Sequence, residues 1–194
     1  EHTDYNEGFV LPAAIDKEVL LALRKRDDEK ISLFAADFNE SYSASLYDLF
    51  PANRSWPAYI LGVVQQLLQR EVALHGFDAV LLSTVPVGAG MSSSAAIECA
   101  VIFALNEVFE SRLGKIDMIK LTQKAENEYV GVKCGIMDMF ASMMGKHGHA
   151  IKLDCKDLNY RYFPITLDGF KIVLFDTGVR HSLAFGEYNL RRVQ

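Results

Sequence analysis

A few short strings hold most of the side chains in this chain that could do chemistry. The first is PVGAGMSSSAA, residues 86–96. Gly88 and Gly90 permit backbone conformations closed to other residues and let a ligand approach the main chain. Ser92, Ser93 and Ser94 fall where a long apolar run begins. A helix start offers unpaired N–H groups and the positive end of its dipole, both of which favour an anion. Serine hydroxyls add donors, and one can turn to a magnesium ion. By itself the string fits a phosphate-holding loop or a plain strand-to-helix turn with a serine cap. It is no Walker A loop, because no Lys-Ser or Lys-Thr follows the glycines. It is no dinucleotide fingerprint, because the third glycine is absent.

Three other strings carry carboxylates. EHTDY at the start sets Glu1, His2 and Asp4 within four residues. Such a set can hydrogen-bond several hydroxyls of a sugar, and it is equally an ordinary polar surface. CGIMDMF, 134–140, sets Asp138 among Ile136, Met137, Met139 and Phe140. A carboxylate in apolar surroundings is costly unless it is paired or functional. AENEYVG, 125–131, carries Glu126 on an amphipathic pattern, where an exposed glutamate is the usual outcome. Trp56 and Tyr59 in WPAYILGV lie at a helical spacing that suits core packing as well as contact with a planar base.

The elements that must position these groups are a mixture of strands and helices. Residues 9–24 are apolar and β-prone with a proline interruption. Residues 30–38 and 40–49 alternate with period two and predict antiparallel strands joined at Asn39. Ile60, Val63, Val64, Leu67 and Leu68 recur at helical spacing after Pro57, and Gly76 is expected to end that helix. A buried strand is expected over 77–87. An apolar, buried helix follows over 92–109, and an amphipathic one over 115–131 that Asp117 could cap. A methionine-rich helix over 134–146 precedes strand-like pieces at HAIKLDC, NYRYFPI and FKIVLFDTG. The last segment, HSLAFGEYNLRRVQ, reads as the start of a helix. Hairpin-like early strands favour an α+β fold over a doubly wound sheet.

The 194 residues are long enough for one well-buried core. A net charge of −5 carries no basic excess for nucleic acid or an anionic membrane. No apolar run approaches the roughly 20 residues of a membrane span. Three widely spaced cysteines, Cys99, Cys134 and Cys155, suit reduced thiols in a cytoplasmic protein.

Taken in full, P-x-G-A-G-[LM]-S-S-S-A-A resembles the phosphate loop of the GHMP kinase superfamily, with Met91 in a slot where leucine is usual. EHTDY followed by NEG is similar to the signature of the galactokinase family within it. CGIMDMF is similar to that family's CGIMDQF, AENEYVG to its AEHxxxG stretch, and DTGVRHSLAFGEYNLRR to its DTNVRHSLADSEYNLRR-like segment. Met139, Asn127 and Gly186 depart from the family's glutamine, histidine and serine.

The resemblance implies a GHMP-kinase N-terminal domain over 1–178 and the beginning of a second domain over 179–194. It implies ATP held on Gly88, Ala89, Gly90, Met91, Ser92, Ser93 and Ser94, with Trp56 and Tyr59 near the adenine. Magnesium falls to Ser94 and Glu126. Galactose falls to Glu1, His2, Asp4, Gly135, Asp138 and Tyr188, with Asp138 as the catalytic carboxylate. The implied reaction is phosphorylation of the anomeric hydroxyl by a protein that is monomeric at full length. A kinase for N-acetylgalactosamine or another sugar is the alternative within the enzyme class. A non-catalytic sugar sensor is the alternative outside it, and known sensors of that kind lose the serine–alanine pair that is intact here at Ser94–Ala95. The family's arginine before EHTDY and its second half lie outside this sequence. The chain therefore reads as a fragment, expected to be inactive and aggregation-prone alone.

Overall fold

A computed structural model describes residues 3–50 and 55–175 of the chain. Glu1, His2, Tyr188, the expected C-terminal helix and the expected domain boundary at 178 lie outside the described residues.

Among the described residues, two sheets and four α-helices make up the fold. The larger sheet contains β2 (Val19–Lys25), β3 (Lys30–Ala35), β4 (Glu40–Ser45) and β5 (Phe77–Ser83), in the order β2-β5-β3-β4. β3 and β4 form the expected antiparallel hairpin, and Asn39 takes the left-handed conformation at its turn, with φ 52°. β3 and β5 run parallel, which brings Ile31 beside Phe77, Leu33 beside Ala79 and Ala35 beside Leu81. All six are buried, so alternation along each strand gives the sheet one apolar face.

The outer face of β5 corrects the expectation of a strand buried on both sides. Val80 and Leu82 are half-exposed there, and so is Leu20, which pairs with Leu82. Among the described residues helices cover only one face of this sheet, so every second side chain meets solvent.

Helix α1 (Pro57–Gln69) starts with the proline where its missing N–H costs nothing. Ile60, Leu61, Val63, Val64 and Leu67 are fully buried along it. The helix ends well before Gly76, with Glu71 left-handed in the turn at φ 60°. Gly76 serves another purpose. A Cβ there would lie 2.4 Å from the Lys30 carbonyl oxygen. The glycine N–H donates to Asp28 O (2.7 Å), and its carbonyl accepts from Arg26 N (2.8 Å). It locks the start of β5 against the β2–β3 turn.

Helix α2 (Ser93–Val108) packs against β2, α1, α3 (Lys115–Ala125) and α4 (Met137–Met144). This position accounts for its apolar composition all round, although Phe103 reaches solvent. Gly114, not Asp117, stands at the N-cap of α3, and no side chain caps that end. Asp117 lies in the first turn, where a negative charge suits the dipole. The helix then widens into a π turn at Glu126–Val130, closed by Gly131 N donating to Glu126 O (2.9 Å).

The smaller sheet is antiparallel, ordered β1-β6-β7, from β1 (Phe9–Val10), β6 (His149–Asp154) and β7 (Tyr160–Pro164). The strand expected at FKIVLFDTG is not formed over its described residues 170–175. Phe170, Ile172, Val173, Leu174 and Phe175 there are exposed. Strand pairing requires a neighbour, and no described strand stands beside them.

Candidate functional site

A cleft of about 1140 Å³ opens where α2 and α4 begin. Gly90, Met91, Ser92 and Asp138 line it, together with apolar residues of the 9–19 stretch such as Leu11 and Ile15. The glycine–serine loop thus lies on a cavity wall, joining β5 to α2.

Backbone geometry shows how the loop does this. Gly88 and Gly90 have φ of 75° and 73°, and Ser92 has φ 52°. A Cβ at Gly90 would meet nothing within 4 Å, so the loop leaves open space there. Ser92 is the N-cap of α2 by position, but its side chain makes no capping bond. A 16-residue helix therefore presents an N-terminus uncapped by its N-cap side chain beside the cleft, a fit for a phosphate.

Asp138 occupies the first turn of α4 and is half-buried. Burial raises its pKa above the usual aspartate value. A hydrogen bond from the Ser92 side chain works against that rise, and the charge of Asp4 adds to it. Asp4 is buried in a 3-10 turn, Asp4–Asn6. It lies so close to Gly135 that a Cβ on that glycine would fall 1.8 Å from Asp4 Oδ2. Only glycine admits the carboxylate there. EHTDY and CGIMDMF, far apart in sequence, therefore meet.

Glu126 lies behind this front. It is buried where α3 becomes the π turn, and such widened turns recur at functional sites. Burial raises its pKa. Hydrogen bonds with the Ser94 side chain and with Cys134 oppose the rise, and the charge of Asp138 adds to it. Cys134 Sγ donates to Glu126 Oε2 at 3.5 Å.

Glu98 belongs to the same cluster, and the sequence reading missed it. It sits one helical turn after Ser94, so both side chains share a face of α2. Its side chain is 0 % exposed, and neither carboxyl oxygen has a donor in reach. Its polar neighbour is another carboxyl, Glu126, so the two can bond only by sharing a proton. Burial, and then the charge of Glu126, raise the Glu98 pKa well above the ordinary glutamate value. A signal was present: a single charged residue inside SSAAIECAVIFAL, four residues after a serine of the loop.

The Ser94 hydroxyl and the Glu126 carboxyl, with the orphaned Glu98 oxygens behind, form no ion pair among the described residues, and oxygen donors of this kind fit magnesium. Trp56 and Tyr59 are not brought to the cleft wall. The Trp56 indole N–H donates to Glu40 Oε2 (2.8 Å). Tyr59 packs on the core, its pKa pushed up to about 12 by burial and by Glu126 and Glu98. Met139, where the family has glutamine, is buried in the core, so the change leaves the cleft wall untouched.

Known proteins resemble this chain in sequence and in fold. Residues 58–146 match the GHMP kinases N terminal domain, and residues 1–25 match the galactokinase galactose-binding signature. Fold, loop and domain match place the chain among the GHMP kinases. A galactokinase of Chloroflexus aggregans is 44% identical over 99% of this chain and 49% of its own length. One of Thermosipho africanus is 42% identical over 99% of this chain and 53% of its own. The crystal structure of Lactococcus lactis galactokinase complexed with galactose matches with a TM-score of 0.90 at 31% identity, over 100% of this chain and 51% of that one. A mevalonate kinase shares the fold, with a TM-score of 0.68 at 22% identity. Over nearly its whole length the chain is similar to these galactokinases. It spans about half the length of the curated relatives it matches.

Proposed function

We propose that this chain forms the sugar- and nucleotide-binding half of a galactokinase, which transfers the γ-phosphoryl group of ATP to the anomeric hydroxyl of galactose. The observation that carries this reading is Asp138 on the wall of the cleft that also holds the uncapped start of α2. The phosphates of ATP would lie on the Gly88–Ser94 loop, where backbone N–H groups oppose their charge. Ser94 and Glu126 would hold magnesium, which supplies positive charge to the transferred group. Asp4, with Glu1, His2, Tyr188 and the Gly135 backbone, would bind the sugar. Asp138 would accept the proton of the attacking hydroxyl. Its raised pKa suits a base that must take a proton and later release it.

Three free cysteines, two of them buried, support a cytoplasmic setting, and among the described residues no helix is long and apolar enough to cross a membrane. Residues 179–194 would open the second domain, and the full-length protein would act as a monomer.

The test is ATP consumption by the full-length protein with galactose, N-acetylgalactosamine, glucose or no sugar. Turnover with galactose alone is expected. Turnover with N-acetylgalactosamine in preference to galactose would move the assignment to another sugar kinase. Galactose binding without any turnover would make the protein a sensor.

A further inference from the structure

Glu98 and Glu126 are both almost fully buried, and the protein treats them differently. No donor reaches either oxygen of Glu98. Glu126 Oε2 accepts a bond from the Cys134 thiol, with Sγ at 3.5 Å. The backbone is built to bring that thiol there. Helix α3 widens into the π turn at Glu126–Val130, and Gly131, left-handed at φ 88°, folds the chain back. Gly131 N and Val132 N both donate to Glu126 O, at 2.9 and 3.1 Å. Cys134 N donates to Val132 O at 2.8 Å, and Cys134 O accepts from Gln123 Nε2 at 3.4 Å. Gln123 stands one turn before Glu126, on the same face of the helix. Cys134 is therefore held through its N–H, its carbonyl and its side chain.

We infer that Cys134 is a positioning residue for the metal: its thiol fixes Oε2 of Glu126 and leaves Oε1 as the oxygen offered to magnesium. This rests on the reading of Glu126 as a magnesium ligand, though the contact itself does not. Outer hydrogen bonds of this kind orient the carboxylates that hold metals. Cysteine suits the place on three counts. It packs in the hydrophobic core as an apolar residue does. Burial, and then the charge of Glu126, push its thiol above the ordinary value, so it stays protonated and can donate. Its sulfur is soft and magnesium takes oxygen, so the thiol does not compete for the ion. Gly135, the next residue, admits the Asp4 carboxylate, and Asp138 follows in the first turn of α4. One short segment would thus set metal, sugar and base together.

The test uses the full-length protein with a non-hydrolysable ATP analogue and Mn²⁺ as the paramagnetic probe for magnesium. Electron paramagnetic resonance reads bound Mn²⁺ without turnover. Cys134→Ala removes the donor, and Mn²⁺ affinity should fall about tenfold, the lower end for such a contact because a thiol is a weak donor. Galactose affinity, read by calorimetry, should stay at the parent value. Cys134→Ser, which keeps a donor, should recover most of the Mn²⁺ affinity. The infrared S–H stretching band reads the contact itself. The Cys134 band is identified by its loss in Cys134→Ser, and it should move in Glu126→Gln, whose amide is a weaker acceptor.

Parent-level Mn²⁺ affinity in a folded Cys134→Ala would overturn the inference. So would an equal loss of Mn²⁺ and galactose affinity, which would make Cys134 a packing residue only. Should Cys134→Ala fail to fold, the band decides: a moved band in Glu126→Gln supports the inference and an unmoved one overturns it. A parent that binds no Mn²⁺ beside the analogue would sink the magnesium reading of Glu126, and this inference with it. Mn²⁺ bound by the parent and by Cys134→Ala alike would sink the inference alone.

Discussion

Acidic side chains are treated in opposite ways at the edge of the large sheet and between the helices. At the edge, Asp28 and Asp78 meet guanidinium groups. Arg26 reaches Asp28 at 2.7 Å and Asp78 at 2.8 Å, and Arg24 also bonds Asp78. The Arg26 hydrogen bond holds Asp28 down to about 2, and Arg24 and then Arg26 lower Asp78. Between the helices, Glu98, Glu126 and Asp138 are all raised, with burial as the first cause. No ion pair among the described residues involves any of the three. The surface acids are solvated and paired, and could be exchanged at little cost. The interior acids carry a desolvation cost that no ion pair among the described residues offsets.

The largest effect is expected at Asp138. Asp138→Asn keeps the shape and removes the base, and turnover in the full-length protein should fall by about 10²–10⁴. Wild-type rates in that variant would remove Asp138 from the chemistry. Next in size is Gly135→Ala, whose Cβ would overlap the Asp4 carboxylate. Galactose affinity, measured by calorimetry, should drop by about tenfold or more as Asp4 is displaced. Unchanged affinity would mean that Asp4 does not touch the sugar.

The two acid clusters should also tilt stability in opposite directions with pH. Glu98 and Glu126 have folded pKa values above the ordinary 4.5, so the folded state holds these protons more tightly than the unfolded chain. Their contribution is complete below 4.5 and is lost as pH rises through the raised folded values, by up to about 1.4 kcal/mol per pH unit for each proton the pair holds. Urea titrations without divalent cation should show this decline, and Glu98→Gln should flatten it. An unchanged slope in Glu98→Gln would mean the pair does not hold a proton. Asp28 runs the other way: its contribution is present above 3.8 and is lost as pH falls through about 2. Asp28→Asn should have the smallest effect of the set, confined to that acid range and erased by salt. A loss of stability at neutral pH and high salt would show that the surface cluster matters more than its exposure allows.

Much of this was legible in the chain itself. The β3–β4 hairpin, α1, α2 and the strand–loop–helix setting of Gly88–Ser94 follow from local periodicity, which depends on near neighbours. Asp138 was legible because its neighbours are apolar. What escaped depends on distant partners. Gly76 looks like a helix stop, yet its role is set by Asp28 and Lys30. β5 looks fully buried, but nothing described covers its outer face. The π turn that presents Glu126 is a change in hydrogen-bond ladder with no residue pattern of its own. Glu98 was hidden by the apolar run around it, and the partnership of Asp4 with Gly135 appears only when the two ends of the domain meet.

Interior acids that hold a metal-bound phosphate would respond to that ligand, and the surface acids would not. The most direct measurement is thermal unfolding of the full-length protein with and without Mg²⁺ and a non-hydrolysable ATP analogue, in the parent, Glu126→Gln and Asp28→Asn. An upward shift in melting temperature is expected in the parent and in Asp28→Asn, and its loss in Glu126→Gln. An equal shift in all three would contradict that expectation, because the buried carboxylates would then be costly and unused.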